Sequence, residues 1–126
     1  MPNAIEMIES TQVSQLMGSA LPELKDEVSF LQAQNNPYQC LSLLSDYTRH
    51  AVEVSDDDAL ERSFQFAAQL YSEGAVAVRR AVENVYVYTL SHLLQAAPAQ
   101  WAKLMERLPR ALRNVYYAQV LPASGC

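Results

Sequence analysis

Apolar residues recur at helical spacing along almost the whole chain. Positions three or four residues apart are apolar and the residues between them are polar, which is typical of amphipathic helices. No segment between turn signals shows the strict alternation that a half-buried strand requires. Only three glycines occur, and two of them, Gly18 and Gly74, lie between periodic segments. The pattern therefore predicts an all-α protein.

The first two helices are predicted from periodicity and from the residues that end them. The first covers residues 3–17, with Ile8 among its inward-facing side chains, and is expected to end at Gly18. The second covers residues 22–33, where a leucine and valine stripe repeats every three to four residues.

Two capping signals mark the starts of the third and fourth helices. Asn36 can cap a helix and Pro37 suits its first position, so the third helix is predicted over residues 37–54. Ser55 supplies a capping hydroxyl ahead of three aspartates in the first turn, where the helix dipole favours negative charge. The fourth helix then continues to Gly74.

The second half predicts a long fifth helix over residues 75–96 and shorter helices after Pro98. Residues 85–89 favour a strand in isolation because they are β-branched and aromatic. Their flanks keep the helical period without a break, so we assign the segment to the helix. Pro109 either kinks the helix that begins at Pro98 or starts a last one, and residues 122–126 are expected to form a frayed tail.

Length and loop spacing predict how these helices are arranged. A chain of 126 residues, half of them apolar, is the size of one domain and buries enough surface for a core without disulfides or metals. The short connections imply antiparallel neighbours, and no repeat of solenoid length is found. We expect a single-domain bundle of six or seven helices over residues 1–121, stacked as hairpins.

Cysteine content and hydropathy predict the compartment. Two cysteines, Cys40 and Cys126, are too few for a disulfide framework. No apolar run approaches the ~18 residues of a membrane span, and the N-terminus lacks the basic patch and apolar stretch of a signal peptide. The sequence therefore predicts a cytoplasmic protein that does not interact with membranes.

The net charge of −5 is unevenly distributed. Residues 1–63 carry eleven acids and three bases, a charge of −8, whereas residues 64–126 carry three acids and six bases, a charge of +3. An acidic half repels phosphate and favours pairing with basic partners. The alternative is that these charges only solvate helix surfaces.

The residue types of catalytic and metal sites do not occur at usable spacings. His50 and His92 belong to no Glu-x-x-His or Cys-x-x-Cys arrangement, and Asp46, one turn before His50, is interpreted as its surface neighbour. Cys40 lies about 15 Å from His50 along the predicted helix axis, too far to be activated by it, and is expected to pack as a small apolar residue. Three scattered glycines cannot form a phosphate-binding loop. The chain is predicted to be non-catalytic, with no metal and no cofactor.

Acids and tyrosines supply the candidate residues for binding a partner. The acids around the start of the fourth helix are either capping residues or carboxylates that meet lysines and arginines of another protein. Tyrosine is enriched at binding hot spots, although these rings can equally complete a small core. Tyr86 and Tyr88 are about 200° apart on a helix, so both cannot face inward. The partner-binding candidates are Glu53, Asp56, Asp57, Asp58, Glu61, Tyr86 and Tyr88.

An alternative basic face is formed by Arg107, Arg110 and Arg113, which recur every three residues. On one helix these arginines could contact phosphates, with neighbouring tyrosines stacking on bases. Pro109 interrupts the row, and the acidic balance of the chain disfavours nucleic-acid binding. We expect the arginines to pair instead with acids of the same fold or of a second subunit.

Three segments resemble a family of small all-helical bacterial proteins of uncharacterised function. They are residues 60–74, residues 80–91 and residues 116–119, and the distinctive part is Ala-Val-Glu-Asn-Val-Tyr-Val-Tyr at residues 81–88. Proteins of this kind resemble products encoded beside polymorphic toxins, where a small acidic helical protein acts as the immunity partner. The resemblance implies no catalytic or ligand-binding residues.

These observations together predict a non-catalytic protein-binding module, an immunity or antitoxin protein that occludes the active site of a basic-surfaced toxin. Two alternatives stay open. One is a structural or regulatory homo-oligomer, such as a homodimer, and the other is a small nucleic-acid-binding protein.

Overall fold

The computed structural model describes residues 7–32, 36–96 and 98–125, and over these residues the all-α prediction is confirmed. The α-helices are α1 Ser10–Ala20, α2 Lys25–Gln32, α3 Pro37–Glu53, α4 Asp57–Glu73, α5 Val76–Ala81, α6 Tyr88–Ala96, α7 Trp101–Arg107 and α8 Arg110–Gly125. A π-helical segment, Val82–Val87, joins α5 to α6, and 3-10 turns at Pro22–Leu24 and Pro98–Gln100 precede α2 and α7.

The helices pack around one apolar core in which α3 is central. α3 packs against α4, the π-helical segment, α1 and α5, so most of its inward stripe is fully covered. The largest buried side chains come from nearly every helix and include Met17, Leu41, Leu44, Phe64, Leu70, Tyr86, Leu94 and Leu112. The core therefore holds both halves of the chain together, as a single-domain bundle requires.

The first helix begins later than the sequence predicted. Ile8 is extended and pairs with the α4–α5 junction: its N–H donates to the Glu73 carbonyl at 2.8 Å, and its carbonyl accepts from the Ala75 N–H at 2.9 Å. These bonds use backbone groups that a helix would keep within itself, so α1 starts only at Ser10. The predicted start at residue 3 lies outside the described residues.

Gly18 does not end α1, contrary to the prediction. The helix continues to Ala20, because glycine permits a left-handed conformation without requiring it, and no described glycine has a positive φ. The helix ends instead at Leu21, which is buried with φ −130° and donates its N–H to the Met17 carbonyl at 2.8 Å.

The predicted starts of α3 and α4 are confirmed, but one capping residue differs. The Asn36 side chain accepts from the Tyr38 N–H at 2.9 Å, as predicted. The cap of α4 is Asp56, whose carboxylate accepts from the Ala59 N–H at 3.1 Å. Ser55 has φ 60° and belongs to the tight turn after α3, so its hydroxyl does not cap the helix.

Residues 75–96 form the continuous helix that was predicted, with a change of geometry in the strand-like part. Val82–Val87 is π-helical, a wider turn that accommodates one more residue than an α-helical turn. Tyr86 and Val87 are both buried within it, and Tyr88 faces outward. The prediction that the two tyrosines do not share a face is confirmed.

Pro109 separates two helices rather than kinking one, which decides between the two possibilities left open. The backbone of α8 continues through Pro122 to Gly125, where a frayed tail was predicted. A proline removes one hydrogen bond from a helix, and here this loss does not end α8. Cys126 lies outside the described residues.

Candidate protein-binding surfaces

The acidic turn, which we define as the five acidic candidates of the α3–α4 region, is exposed throughout. Its members are Glu53, Asp56, Asp57, Asp58 and Glu61. Asp56 caps α4, and Glu61 accepts a hydrogen bond from the Gln65 side chain at 3.0 Å. The capping interpretation thus applies to one of the five acids, and the side chains of the other four are exposed to solvent.

Asp58 belongs to an ion-pair network centred on Arg62. The Arg62 guanidinium donates to both carboxylate oxygens of Glu23, at 3.1 and 2.8 Å, and its Nε donates to Asp58 Oδ2 at 2.9 Å. The Tyr47 hydroxyl also donates to Glu23. The network joins α4 to the turn before α2 and to α3.

The same contacts shift two pKa values in opposite directions. The hydrogen bonds from Arg62 and then from Tyr47 lower the pKa of Glu23 to about 2, because they stabilise its ionised form. Burial, followed by the hydrogen bond to Glu23, raises the pKa of Tyr47 to about 12. Glu23 is therefore ionised and the Tyr47 hydroxyl protonated over the whole range from weakly acidic to weakly alkaline pH.

The three arginines of the predicted basic face lie on two helices, and two of them are engaged within the fold. Arg107 lies on α7 and pairs with Asp57 at 3.4 Å, which confirms the expected pairing with acids of the same fold for this residue. Arg113 lies on α8, and its guanidinium turns back to donate to the Leu108 carbonyl at 3.0 Å. Arg110 is exposed at the start of α8. The break at Pro109 therefore places Arg107 on a different helix from Arg110 and Arg113.

Tyr86 is a core residue and cannot bind a partner, contrary to its inclusion among the candidates. It is 1% exposed, and its hydroxyl lies 2.8 Å from Thr48 Oγ1 in a buried hydrogen bond. Burial raises the pKa of Tyr86. Tyr86 lies four residues after the buried Val82 and four before the buried Leu90, so it belongs to the inward face of the long helix.

Tyr88 remains a candidate because 55% of it is exposed. Its ring packs edge-on against the ring of His92, one turn later, with centroids 4.4 Å apart. Arg80 and Asn84 precede it at intervals of four residues and are also exposed. The outer side of the long helix thus presents aromatic, cationic and amide groups, of the kinds that interface hot spots favour.

An apolar groove of about 500 Å³ lies between α2 and α3, and the sequence did not predict it. Phe30, at its mouth, is 74% exposed, more than any other large apolar side chain of the described residues. Its lining consists of Phe30, Leu31, Leu43, Gln39 and the acids Asp26, Glu27 and Asp46. The only signal in the sequence was that Phe30 falls outside the stripe formed by the apolar residues around it.

A larger and more polar groove, of about 810 Å³, lies between α4, the π-helical segment and α8. The Arg79 guanidinium stacks 5.0 Å above the centre of the Tyr71 ring, and the Tyr71 hydroxyl donates to the Glu83 carboxylate at 3.1 Å. Gln119 on α8 donates to the Glu83 backbone carbonyl at 2.7 Å. The polar groups of this groove thus bond mainly to one another and hold the three helices together.

A family model described as a domain of unknown function (DUF7674) matches residues 14–122, most of the chain. The chain belongs to the DUF7674 family. The expectation of an uncharacterised family is therefore confirmed, and the DUF7674 match extends from α1 into α8, across both grooves and the acidic turn. No curated protein and no solved structure matches the chain.

The residues considered for chemistry are placed apart in this DUF7674 domain. Cys40 is buried near the start of α3, where desolvation raises the pKa of its thiol, and His50 is exposed near the other end. Across residues 7–32, 36–96 and 98–125, no group of three His, Cys, Asp or Glu side chains converges as a metal site would require. In the same part of the chain, none of the helices has the length and apolar character of a membrane span.

Proposed function

We propose that this DUF7674 protein is a non-catalytic protein-binding module, an immunity protein that binds a basic-surfaced bacterial toxin and occludes its active site. The supporting observation is the exposure of the acidic turn. The side chains of Asp58 and Asp57 are 80% and 55% exposed even though each pairs with an arginine. A carboxylate accepts several hydrogen bonds, so both can also bind lysines and arginines of a partner.

Charge asymmetry determines how such a partner approaches. Residues 1–63 carry a charge of −8, and the ion pairs with Arg62 and Arg107 neutralise only part of the acidic turn. Complementary charge accelerates encounter and selects the partner, whereas desolvated aromatic contacts supply affinity. In this proposal the acidic turn orients the toxin, and exposed rings such as Tyr88 contribute anchoring contacts.

The test uses the product of the gene adjacent to that of this protein, co-expressed and purified, with affinity measured by calorimetry. We expect a complex, and we expect Glu61→Lys to weaken it at least about tenfold because a lysine faces basic groups of the partner. Glu73→Lys is the matched control. Both acids are exposed on α4 and cause the same change in net charge, but they lie about 18 Å apart along the helix.

The outcomes separate the elements of the proposal. An immunity role requires that this protein rescues the growth of cells that express the adjacent gene. The Glu61→Lys variant should lose this rescue, and the Glu73→Lys variant should keep it. Equal affinity of both variants removes the acidic turn from the interface. Failure of the adjacent product to bind and to inhibit growth removes the immunity role itself.

The nucleic-acid alternative is weakened by the position of Arg113, since a row of phosphate contacts needs the three arginines on one surface. It requires retention of oligonucleotides that falls steeply with salt. The homo-oligomer alternative requires a stable mass above that of the monomer.

A further inference from the structure

We propose that the groove between α2 and α3 is the docking site for a basic amphipathic helix of another protein. The inference rests on the proposed protein-binding function and specifies the surface and the form of the partner. It depends on three observations: the apolar side chains that the two helices contribute to the groove, the acids that line it with them, and the exposure of Phe30.

Helical spacing places the residues of both walls on the faces that line the groove. On α2, Glu27 precedes Phe30 and Leu31 by three and four residues, so an acid and two apolar side chains lie on one face. On α3, Gln39, Leu43 and Asp46 repeat at intervals of four and three residues and form the facing wall. The two helices thus bound a trough in which Leu31 and Leu43 pack against the core, with Phe30 and the polar side chains around them.

The exposure of Phe30 marks the trough as a surface that another molecule can cover. A phenylalanine that is 74% exposed retains most of its apolar area in water, and burying that area favours association. Neighbouring Leu31 and Leu43 are half-buried, so a ligand that covers Phe30 also completes their burial. Single exposed apolar residues are common, whereas an exposed ring beside two half-buried leucines in one groove forms a contiguous apolar patch that a partner can cover.

The charge at the edges determines the chemistry of the ligand. Asp26, Glu27 and Asp46 line the groove, and only Asp46 has an ion-pair partner among the described residues, Arg49 at 3.0 Å. Lysines or arginines beside the apolar face of a ligand therefore meet two acids on α2 and one on α3. The same acids repel nucleic acid and anionic lipid.

A helix is the form of ligand that this trough accommodates. An amphipathic helix lays its apolar face in such a groove through residues at i, i+3, i+4 and i+7. A strand would need a sheet edge to pair with, and the described residues contain no strand. A second copy of the chain is disfavoured because its two basic helices, α5 and α8, already bury their apolar side chains in the core, among them Val78, Leu112 and Val115.

The experiment uses a fluorescent synthetic helix of leucine and lysine, with leucines at i, i+3, i+4 and i+7, and its counterpart with glutamate in place of lysine. We expect the lysine helix to bind and the glutamate helix to bind at least about tenfold more weakly. Phe30→Ala should weaken binding of the lysine helix at least about tenfold, as for a hot-spot residue. Val76→Ala, at an apolar side chain that is 62% exposed elsewhere on the protein, should change it less than about twofold.

A second pair of variants tests the acids. Asp26→Asn with Glu27→Gln should weaken binding several-fold and flatten its salt dependence, whereas Glu73→Gln with Glu106→Gln, at two other exposed acids, should leave it unchanged. Equal binding of the two helices, or equal effects of the Phe30 and Val76 variants, overturns the proposal. A dimer that Phe30→Ala dissociates also overturns it, because a second copy would then occupy the groove.

The two proposals fail separately. If the lysine helix does not bind but the adjacent gene product does, the groove proposal is wrong and the protein-binding function stands. If the lysine helix binds as described and the adjacent gene product does not, the groove stands without the immunity role.

Discussion

Individual residues determine how closely the segments of this fold approach one another. The extended residue Ile8 pairs with the junction of α4 and α5 at Gly74, where an added side chain would collide with Leu70 and Val78 of those two helices. In the core, Thr48 supplies the hydrogen-bond partner that the buried Tyr86 hydroxyl needs. The sequence identified Gly74 as a helix end. It did not identify the contact of Ile8 with Gly74 or that of Thr48 with Tyr86, because each joins residues that are far apart in the chain.

Gly74→Ala is expected to destabilise the protein by about 2 kcal/mol or more. An added Cβ would lie 2.2 Å from the Leu70 carbonyl oxygen and 2.8 Å from Val78 Cγ1, so the backbone must move. Gly18→Ala is the control, since its Cβ would lie 3.6 Å from Val28 Cγ1, an ordinary contact, within a helix. This control should stabilise by about 0.5–1 kcal/mol. Urea unfolding measures both, and similar losses would contradict the packing at Gly74.

Thr48→Val is expected to lower the free energy of unfolding by about 2 kcal/mol, because it leaves the Tyr86 hydroxyl buried without a partner. Adding Tyr86→Phe removes that unpaired hydroxyl and should restore part of the loss. Chemical unfolding of the two single variants and the double variant gives the coupling. Additive losses would show that the hydroxyls do not interact.

At the scale of elements, hydrophobic period predicted the helices well, and deviations occur where tertiary contacts compete with it. α3 and the continuous helix over residues 75–96 were predicted because their apolar stripes are long and their start signals clear. The start of α1 was not predicted correctly, since the pairing of Ile8 with the α4–α5 junction joins residues far apart in the chain. The π-helical geometry of Val82–Val87 was not predicted either. Its wider turn holds only one more residue than an α-helical turn, so the recurrence of apolar residues along the chain stays nearly unchanged.

The link between α4 and the turn before α2 should make stability depend on acid pH. Since the folded pKa of Glu23, about 2, lies below its ordinary value of 4.5, its stabilising contribution is full above pH 5 and is lost as pH falls towards 2. Glu23 is 39% exposed, so solvent screening limits this contribution to about 1 kcal/mol.

Unfolding measured between pH 5 and pH 2 tests this link. Over that range the free energy of unfolding of Glu23→Gln should fall by about 1 kcal/mol less than that of the unmodified protein. Arg62→Gln should behave similarly because it removes the same ion pair. Parallel pH profiles for all three proteins would show that the ion pair does not contribute to stability.

At the scale of the whole molecule, the distribution of charge could be predicted and the shape of the surface could not. The acidic turn is a local feature, so its exposure followed from the sequence of one helix start. The apolar groove depends on how α2 and α3 are placed relative to each other, and the buried hydrogen bond of Tyr86 depends on how α3 is placed relative to the π-helical segment. Both are consequences of packing between segments, which the hydrophobic period of a single segment does not predict.

Light scattering of the protein alone and mixed with the product of the adjacent gene tests the central claim most directly. The account predicts a mass of 14.1 kDa alone and the sum of the two masses in the mixture, with the complex weakened by Glu61→Lys and by added salt. A tight dimer of the protein alone, together with no change on mixing, would contradict it.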